Sequence, residues 1–418
     1  MEVQSSDVEI KVGGGGVMTA TADSSPIDFK TGRTLITNNN KPKLESLWCN
    51  LPGNVLISII ECLCYVDQIY FRAVCKDWRS KIYGLVRHSD NFPWILAVPN
   101  GDTLSWKFVS NSNQCYLYDP IHKQKYTIEN QILDGAHIHA SKFGWLLLST
   151  NIRSTYFFSF YSPFTNKIIE LPALDMKKSA GNIFTNVMAT FSTAPTSSDC
   201  VICVVSTESP KTEVFCVSTC SPGGKTWNNV LLGMNGYTYT TWINSQIAHV
   251  DGVIYFTFKD VDSMQKVMGA FKPGLKEWKA YPCPRISFFF GIDCLIESED
   301  DENLLMLYYG YYDHETWHVC QFNEAKKNWC ELENLGNRML FVSDISTSLQ
   351  LAASAKDDGE GIGSFENTIH VAYCYPGLEC SSFFYKTLDK HPSCPQIYDW
   401  IEKEEFRLTW IQPPNMNF

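Results

Sequence analysis

The feature that most constrains the fold is a repeated unit: an apolar strand, a polar turn, a lysine and then an aromatic or aliphatic residue. It occurs as CYLYDPIHKQKYTI, YFFSFYSPFTNKIIELP, VFCVSTCSPGGKTWNNV, VMGAFKPGLKEWKAYP and HVCQFNEAKKNWCELE. In the last three copies the closing residues are Trp227, Trp278 and Trp329, evenly spaced by 51 residues. A fixed period of this length is typical of propeller blades. We therefore predict a β-propeller.

A second apolar strand precedes several of these hairpins. Its copies are FGWLLLST at 143–150, VDGVIYFTF at 250–258, ENLLMLYYG at 302–310 and ENTIHVAYC at 366–374. Nearly continuous apolar runs indicate strands buried on both faces, so we expect these to be inner strands. The pattern predicts a mainly β fold with a kelch-like propeller of about six blades over residues 92–390, with seven as an alternative. The segment CSSFFYKTLD is expected to close the ring with the strands near 94–109.

The segment LPGNVLISIIECLCYVDQIYFRAVCKDW, at 51–78, has the period of helices instead. Pro52 suits the start of a helix, because a first-turn residue loses no intrahelical bond when its N–H is missing. Leu56, Ile59, Ile60 and Leu63 then form one apolar stripe. Short helices of this kind bury too little surface to be stable alone, so a partner or the rest of the chain must cover them.

This segment resembles the F-box of plant and animal ubiquitin-ligase receptors. The resemblance rests on the Leu-Pro start, the apolar stripe, and the ending Arg-Ala-Val-Cys-Lys-Asp-Trp-Arg at 72–79. It implies an F-box over residues 46–85 that docks on a Skp-type adaptor and, through it, on a cullin. The residues that it assigns to adaptor binding are Leu51, Pro52, Leu56, Ile59, Ile60, Leu63, Ile69, Val74, Cys75 and Trp78.

The later repeats resemble the β domain that accompanies F-boxes in plant F-box/kelch-repeat proteins. The resemblance rests on Ser-Lys-Phe-Gly-Trp-Leu-Leu at 141–147, Ser-Pro-Phe-Thr at 162–165, Pro-Gly-Gly-Lys-Thr-Trp at 222–227, and the stretch 328–341. A Gly-Gly doublet in every blade would indicate true kelch repeats, but within the repeats it occurs only at Gly223-Gly224, so we describe the propeller as kelch-like. The tryptophans expected to anchor the blades are Trp145, Trp227, Trp278 and Trp329.

Charge and terminal sequence limit the partners and the compartment. With Lys+Arg 34 against Asp+Glu 45, a net charge of −11, broad binding to nucleic acid or to an anionic membrane is not expected, because both need a basic surface. No apolar run approaches a membrane span, and the start MEVQSSDVEIK lacks a signal-peptide pattern. We expect a cytoplasmic or nuclear protein.

The two ends of the chain are expected to lie outside the propeller. Residues 1–43, rich in Gly, Asn, Ser and Thr, are expected to be a disordered arm. Residues 391–418 are expected to be a tail with one amphipathic helix around Trp400, Ile401 and Phe406.

No set of residues indicates catalysis, a metal site or a cofactor. His137 and His139 would share one face of a strand but have no further ligand at a telling distance. Cys200 and Cys203 would point to opposite faces of a strand. The acidic run ESEDDE at 297–302 is expected to be a solvated loop. We therefore nominate no catalytic residue, metal or cofactor.

The two modules together predict a non-catalytic receptor subunit of an SCF-type E3 ubiquitin ligase. The F-box would hold the adaptor while the propeller holds an unknown protein target. The alternatives are a propeller scaffold outside a ligase and, less favoured, a propeller enzyme or small-ligand sensor. Candidates for contact with a target are the aromatic residues Trp242, Tyr308, Tyr309, Tyr311 and Tyr312, which would serve equally well as core.

Overall fold

The structure is a computed structural model of the chain. It describes residues 8–12, 16–20, 50–63, 65–82, 92–99, 114–128, 131–176, 184–208, 214–234, 236–237, 239–240, 246–260, 262–263, 265–284, 293–297, 303–310, 316–343, 348–352, 366–372, 381–384 and 406–413. The chain divides into two compact units: Met1–Phe92 with Pro413–Phe418, and Pro93–Gln412.

The first unit contains a strand hairpin and three short helices. The strands are β1 (Val8–Val12) and β2 (Gly16–Ala20), and the helices are α1 (Gly53–Glu61), α2 (Tyr65–Ala73) and α3 (Lys76–Lys81). The hairpin lies in the arm for which the sequence predicts disorder, where Val8, Ile10 and Val12 alternate with charged residues at the period of a strand. The rest of residues 1–43 lies outside the described residues.

The second unit is built from strands alone apart from one short 3-10 turn, Gln131–Leu133, among the residues described. The strands of its first half are β3 (Trp94–Pro99), β4 (Cys115–Asp119), β5 (Gln124–Ile128), β6 (His137–Lys142), β7 (Trp145–Ile152), β8 (Thr155–Ser162), β9 (Lys167–Glu170), β10 (Leu174–Asp175), β11 (Phe184–Phe191), β12 (Ile202–Glu208), β13 (Val214–Cys220) and β14 (Asn228–Gly233). Those of its second half are β15 (Tyr239–Thr240), β16 (Ile247–Val250), β17 (Val253–Asp260), β18 (Lys266–Lys272), β19 (Glu277–Pro282), β20 (Asp293–Glu297), β21 (Leu304–Gly310), β22 (Thr316–Asn323), β23 (Asn328–Glu331), β24 (Arg338–Ser343), β25 (Ser348–Ala352), β26 (Thr368–Ala372), β27 (Ser381–Phe384) and β28 (Phe406–Ile411).

These strands form a propeller of five sheets in the described part of the chain, not the predicted six or so. We number them in chain order: sheet 1 holds β3–β5 and β28, sheet 2 holds β6–β10, sheet 3 holds β11–β14, sheet 4 holds β15–β19, and sheet 5 holds β20–β27. The count differs because sheet 5 has eight strands: β20 pairs in parallel with β25, with Ile296 opposite Ser348, which joins two groups of strands that the sequence separates.

The last strand of the chain completes sheet 1. β28 pairs antiparallel with β3, from Phe406 opposite Pro99 to Ile411 opposite Trp94. Two predictions are therefore wrong for these residues: the propeller does not end at residue 390, and Phe406 lies in a strand rather than in a helix. Pairing the two ends of the propeller unit in one sheet provides cross-strand hydrogen bonds to strands that would otherwise be edges.

Four of the repeated hairpins turn in the same way. The turns after β4, β8, β18 and β22 each close with a left-handed residue, Lys123, Asn166, Lys276 and Lys327, at φ 54, 51, 53 and 55. That conformation suits asparagine or glycine better than lysine, so the lysine that recurs in the sequence pattern is held there by the strand pairing on either side. The repeat thus marks the turn geometry of the outer hairpin.

Apolar side chains fill the space between neighbouring sheets. Phe160 of sheet 2 meets Phe191 of sheet 3 with ring centroids 5.0 Å apart, and Phe215 of sheet 3 meets Phe256 of sheet 4 at 5.2 Å. Phe256 lies over Gly269 of the neighbouring strand so closely that an added Cβ would be 2.4 Å from the ring. Sheets 2 and 3, and sheets 3 and 4, therefore share packed cores.

Candidate functional site

The three helices of the first unit are held together by a small buried core. Leu56, Ile60 and Trp78 are buried, and the Trp78 ring lies 4.4 Å from that of Phe71 between centroids. Lys81 Nζ also donates to the Leu51 carbonyl at 3.0 Å, which ties the end of α3 to the residue before α1. Leu56 and Ile60, which belong to the apolar stripe seen in the sequence, therefore stabilise the packing of the helices themselves.

Other apolar residues of the same helices face solvent. Val55 is 39% exposed and Val74 is 62% exposed, while Ile59 and Leu63 are half-buried. On a helical wheel Val55 and Ile59 lie at one edge of the α1 stripe, and Leu56 and Ile60 lie at the other. We use the term apolar face for a set of exposed or half-buried apolar residues of this segment, namely Pro52, Val55, Ile59 and Leu63 in and around α1 and Val74 just after α2. Val55 was missed in the sequence, although its i, i+4 spacing to Ile59 marks it as part of the stripe.

The predicted adaptor-binding residues thus divide into two groups. Leu56, Ile60 and Trp78 are internal, whereas Pro52, Ile59, Leu63 and Val74 lie on the apolar face and Leu51 is half-buried. Cys75 caps α3, since its Sγ accepts a hydrogen bond from the Trp78 backbone N–H at 3.4 Å. The side chain of Ile69 lies outside the described residues.

Two of the tryptophans predicted to anchor the blades, Trp227 and Trp278, form hydrogen bonds with the preceding sheet. The indole N–H of Trp227 donates to the Pro172 carbonyl at 2.7 Å, and that of Trp278 donates to the Gly233 carbonyl at 2.9 Å. Pro172 follows β9 and Gly233 is the last residue of β14, and each of these strands lies at the outer edge of the preceding sheet. Trp145 is buried in the core between sheets 2 and 3. A tryptophan at this position therefore fixes the spacing between two blades.

Trp329 occupies the equivalent position in sheet 5 but lacks this hydrogen bond. It packs beside Phe322, with 5.2 Å between ring centroids, and against the core shared by sheets 4 and 5. Its indole nitrogen is buried without a partner among the described residues. We call the indole-to-carbonyl hydrogen bond of Trp227 and Trp278 the tryptophan clamp. It joins sheets 2 and 3, and sheets 3 and 4, but the interface between sheets 4 and 5 lacks it.

One ion pair links the inner strands of four sheets. Lys142 Nζ lies 2.7 Å from Glu297 Oε2, and the two side chains are only 6% and 17% exposed. The lysine also donates to Thr190 Oγ1 at 2.7 Å and to the Phe191 carbonyl, and Glu297 Oε1 accepts from the His249 backbone N–H at 2.7 Å. These residues come from sheets 2, 3, 4 and 5, and we call them the central network. All three lysine donors are used, so the arrangement is structural rather than nucleophilic.

The central network corrects one expectation from the sequence. Glu297, the first residue of the acidic run, lies at the end of β20 with its carboxylate in the central network rather than in a solvated loop. Residues 298–302 lie outside the described residues. The ion pair between Lys142 and Glu297 leaves no local pattern in the sequence, because the two residues are far apart along the chain.

The histidine and cysteine candidates occupy buried or paired positions. The rings of His137 and His139 are 4.5 Å apart, and a bulge in β6 lies between Ile138 and Ala140. Burial, with smaller effects of His137 and Arg407, holds the pKa of His139 well below its ordinary value. Cys200 and Cys203 lie in two different apolar cores, as expected, and burial raises the pKa of Cys203 to about 12. In the part of the chain described, no three metal-ligating side chains cluster.

Among the aromatic candidates for target contact, Tyr308 is half-buried and stacks on His318 with centroids 4.9 Å apart. Trp242, Tyr311 and Tyr312, and the side chain of Tyr309, lie outside the described residues. Within the described ranges no helix has the length and apolarity needed to cross a membrane.

Comparison with known proteins gives matches over both modules. An F-box domain matches residues 48–89, and the KIB1-4 beta-propeller matches residues 117–372. Among curated relatives from Arabidopsis thaliana, F-box/kelch-repeat protein At1g57790 is 25% identical over 394 residues, which cover 91% of this chain and 98% of that protein. F-box protein At1g49360 is 27% identical over 335 residues, 76% of this chain and 62% of that protein.

These matches confirm the resemblance seen in the sequence to plant F-box proteins with a kelch-like propeller. They extend over both the helices around Pro52 and the sheets that carry the repeated hairpins. The chain belongs to the KIB1-4 beta-propeller family, with an F-box domain ahead of the propeller.

Proposed function

We propose that this protein is the substrate-recognition subunit of an SCF-type E3 ubiquitin ligase, working in the cytoplasm, the nucleus or both. The observation that carries the proposal is the apolar face of the F-box: Val55 on α1 and Val74, just after α2, are exposed although the helices already have a core of their own. Exposed apolar side chains on so small a helical unit favour a protein partner. The partner proposed is a Skp-type adaptor, which connects the chain to a cullin.

In this role the chain performs no bond chemistry. The F-box holds the adaptor while the propeller holds a target, so a lysine of the target stays near the enzyme that carries ubiquitin. The gain comes from a raised effective concentration of the two reactants. A closed ring of sheets suits this task, because its strands form a rigid framework from which the turns can contact a target.

The test uses the exposed part of the F-box. The double substitution Val55→Asp, Val74→Asp places two charges on the apolar face and removes no buried side chain, so we expect co-purification with adaptor and cullin to be lost while thermal unfolding is unchanged. The matched control is Ile168→Asp, an exposed apolar residue of β9 in the propeller, which should leave co-purification intact. A chain without residues 46–85 gives the negative reference.

Two outcomes would contradict the proposal. Adaptor binding retained by the double variant would exclude the apolar face, and absence of binding by the wild-type chain would exclude the ligase role. A scaffold outside a ligase is distinguished by ubiquitin-chain formation on a bound target. Leu56→Asp with Ile60→Asp is a poorer test, because both side chains are buried and the change disrupts the F-box core.

A further inference from the structure

A groove runs between sheets 4 and 5, at the interface that lacks the tryptophan clamp. It encloses about 720 Å³. Its walls are the turn between β16 and β17 at Val250–Val253, the turn between β18 and β19 at Lys272–Leu275, the residues around the start of β21, and the end of β22. All four segments lie at the ends of strands, where residues can vary with little effect on the core.

The groove has an apolar floor and an apolar rim. Phe322 and Leu304 line the groove as buried side chains, which we call its floor, and the Trp329 ring packs beside Phe322. At the rim Leu275 is 66% exposed, the largest exposure of any large apolar side chain among the described residues. Its turn is fixed by the hydrogen bonds Leu275 N–H to the Lys272 carbonyl, 3.1 Å, and Lys276 N–H to the Pro273 carbonyl, 3.3 Å. An ordered turn therefore holds a leucine in solvent beside a cavity.

Side-chain amides line the same groove. Gln321 Nε2 donates to Asn303 Oδ1 at 2.8 Å, and Asn323 Oδ1 accepts from the Lys326 backbone N–H at 2.8 Å. These contacts leave the Gln321 carbonyl oxygen and the amino groups of Asn303 and Asn323 without a partner within the described ranges. Primary amides offer a donor and an acceptor that match the peptide group. The groove is thus equipped to bind an extended backbone.

The groove lining carries more negative than positive charge, because Asp251 and Glu324 face one cation, Lys272. Asp251 has no ion-pair partner among the residues that the structure describes. Glu324 accepts from the Tyr255 hydroxyl at 3.5 Å and pairs with Lys327, but that pair is exposed and weak. Lys272 forms no ion pair within 4 Å among the described residues, but Glu277 lies directly opposite it on the neighbouring strand and offsets its charge. A basic group from a partner would find Asp251 available.

We propose that this groove binds an extended segment of a protein target in which an apolar side chain lies beside a lysine or arginine. The apolar side chain packs on Leu275 over the Phe322 floor, the amides of Gln321 and Asn303 pair with the peptide backbone, and the cation meets Asp251. This inference rests on the proposed function, because it names the part of a target that the propeller would recruit.

The experiment uses the full-length chain and a phage-displayed library of random dodecapeptides as the probe. We expect enrichment of peptides with an apolar residue next to lysine or arginine. A synthetic, fluorescein-labelled copy of the enriched peptide should bind about tenfold more weakly to Asp251→Asn and to Leu275→Ser by fluorescence anisotropy. Leu231→Ser on β14, another exposed leucine of the propeller, is the matched control and should bind as the wild type does.

Each outcome decides a separate claim. No enrichment, enrichment without the apolar–basic pair, or equal binding by both groove variants would overturn the groove assignment. All variants are also tested for co-purification with the adaptor. Peptide binding without adaptor binding overturns the ligase role alone, whereas adaptor binding without peptide enrichment overturns the groove alone.

Discussion

Replacing Glu297 with glutamine tests whether one ion pair holds the inner strands of four sheets together. The substitution keeps the shape of the side chain and an oxygen for the His249 N–H, but it removes the charge that balances Lys142. Breaking a buried ion pair from one side typically costs about 3–5 kcal/mol. Lys142 keeps two neutral acceptors, Thr190 and Phe191, so we expect the free energy of unfolding to fall by about 3 kcal/mol, at the lower end of that range.

A double-mutant cycle separates the pair from its surroundings. Lys142→Met alone leaves the Glu297 carboxylate without its cation and should cost about as much as Glu297→Gln. The double variant leaves neither charge unbalanced, so it should be destabilised by no more than about one single variant, which corresponds to a coupling of about 3 kcal/mol. The measurement is urea unfolding of the full chain, followed by tryptophan fluorescence.

The control for this cycle is the exposed pair of Lys327 and Glu324 on the same propeller unit. Lys327→Met should change stability by less than about 1 kcal/mol, because solvent screens that pair. If the losses for Lys142 and Glu297 simply add, or if Glu297→Gln costs no more than the control, then the central network does not hold the ring together.

Three further predictions concern packing and protonation. Trp278→Phe removes the hydrogen bond to the Gly233 carbonyl but keeps a ring, and it should cost about 1–3 kcal/mol in urea unfolding, since it removes one hydrogen bond and part of a buried indole. Gly269→Ala should cost about 1–3 kcal/mol because the new methyl group meets the Phe256 ring; equal stability would show that the ring moves freely. The pKa of His139 is lowered in the folded chain, so below about pH 6.5 the unfolded chain binds a proton that the folded chain does not, and stability should fall as pH decreases. His139→Asn should flatten this dependence in pH-dependent thermal unfolding; an unchanged slope would assign it to other groups.

Local patterns in the sequence predict much of this fold. The 51-residue spacing of tryptophans reflects a hairpin that recurs with each blade, and the apolar stripe after Pro52 reflects one helix. Both signals arise within a few tens of residues, where backbone period and side-chain burial are linked directly. The closing strand is different: Phe406, Leu408 and Trp410 alternate as in a strand, but their partner strand, which includes Leu96, lies about three hundred residues earlier. A short apolar run gives no information about so distant a partner.

The functional surfaces were less accessible to sequence reasoning for a related reason. Helical periodicity identifies an apolar stripe but does not separate the residues that pack inside, such as Leu56, from those such as Val55 that remain exposed. That division depends on where Trp78 and the third helix lie. Likewise, Lys142 and Glu297 are ordinary charged residues in sequence and become a buried pair only when the ring closes.

If the propeller recruits targets as proposed, the separation between ring contacts and turns would let one fold recruit different targets. Ring stability resides in inner strands and in contacts between sheets, such as the central network and the Trp227 and Trp278 hydrogen bonds. The groove between sheets 4 and 5 draws its distinctive groups, Asp251 and Leu275, from turns whose side chains contribute little to any core. Under the proposed function, substitutions there would change recognition with little loss of stability. Target choice is therefore expected to change through such turns, while the strands between them keep the ring intact.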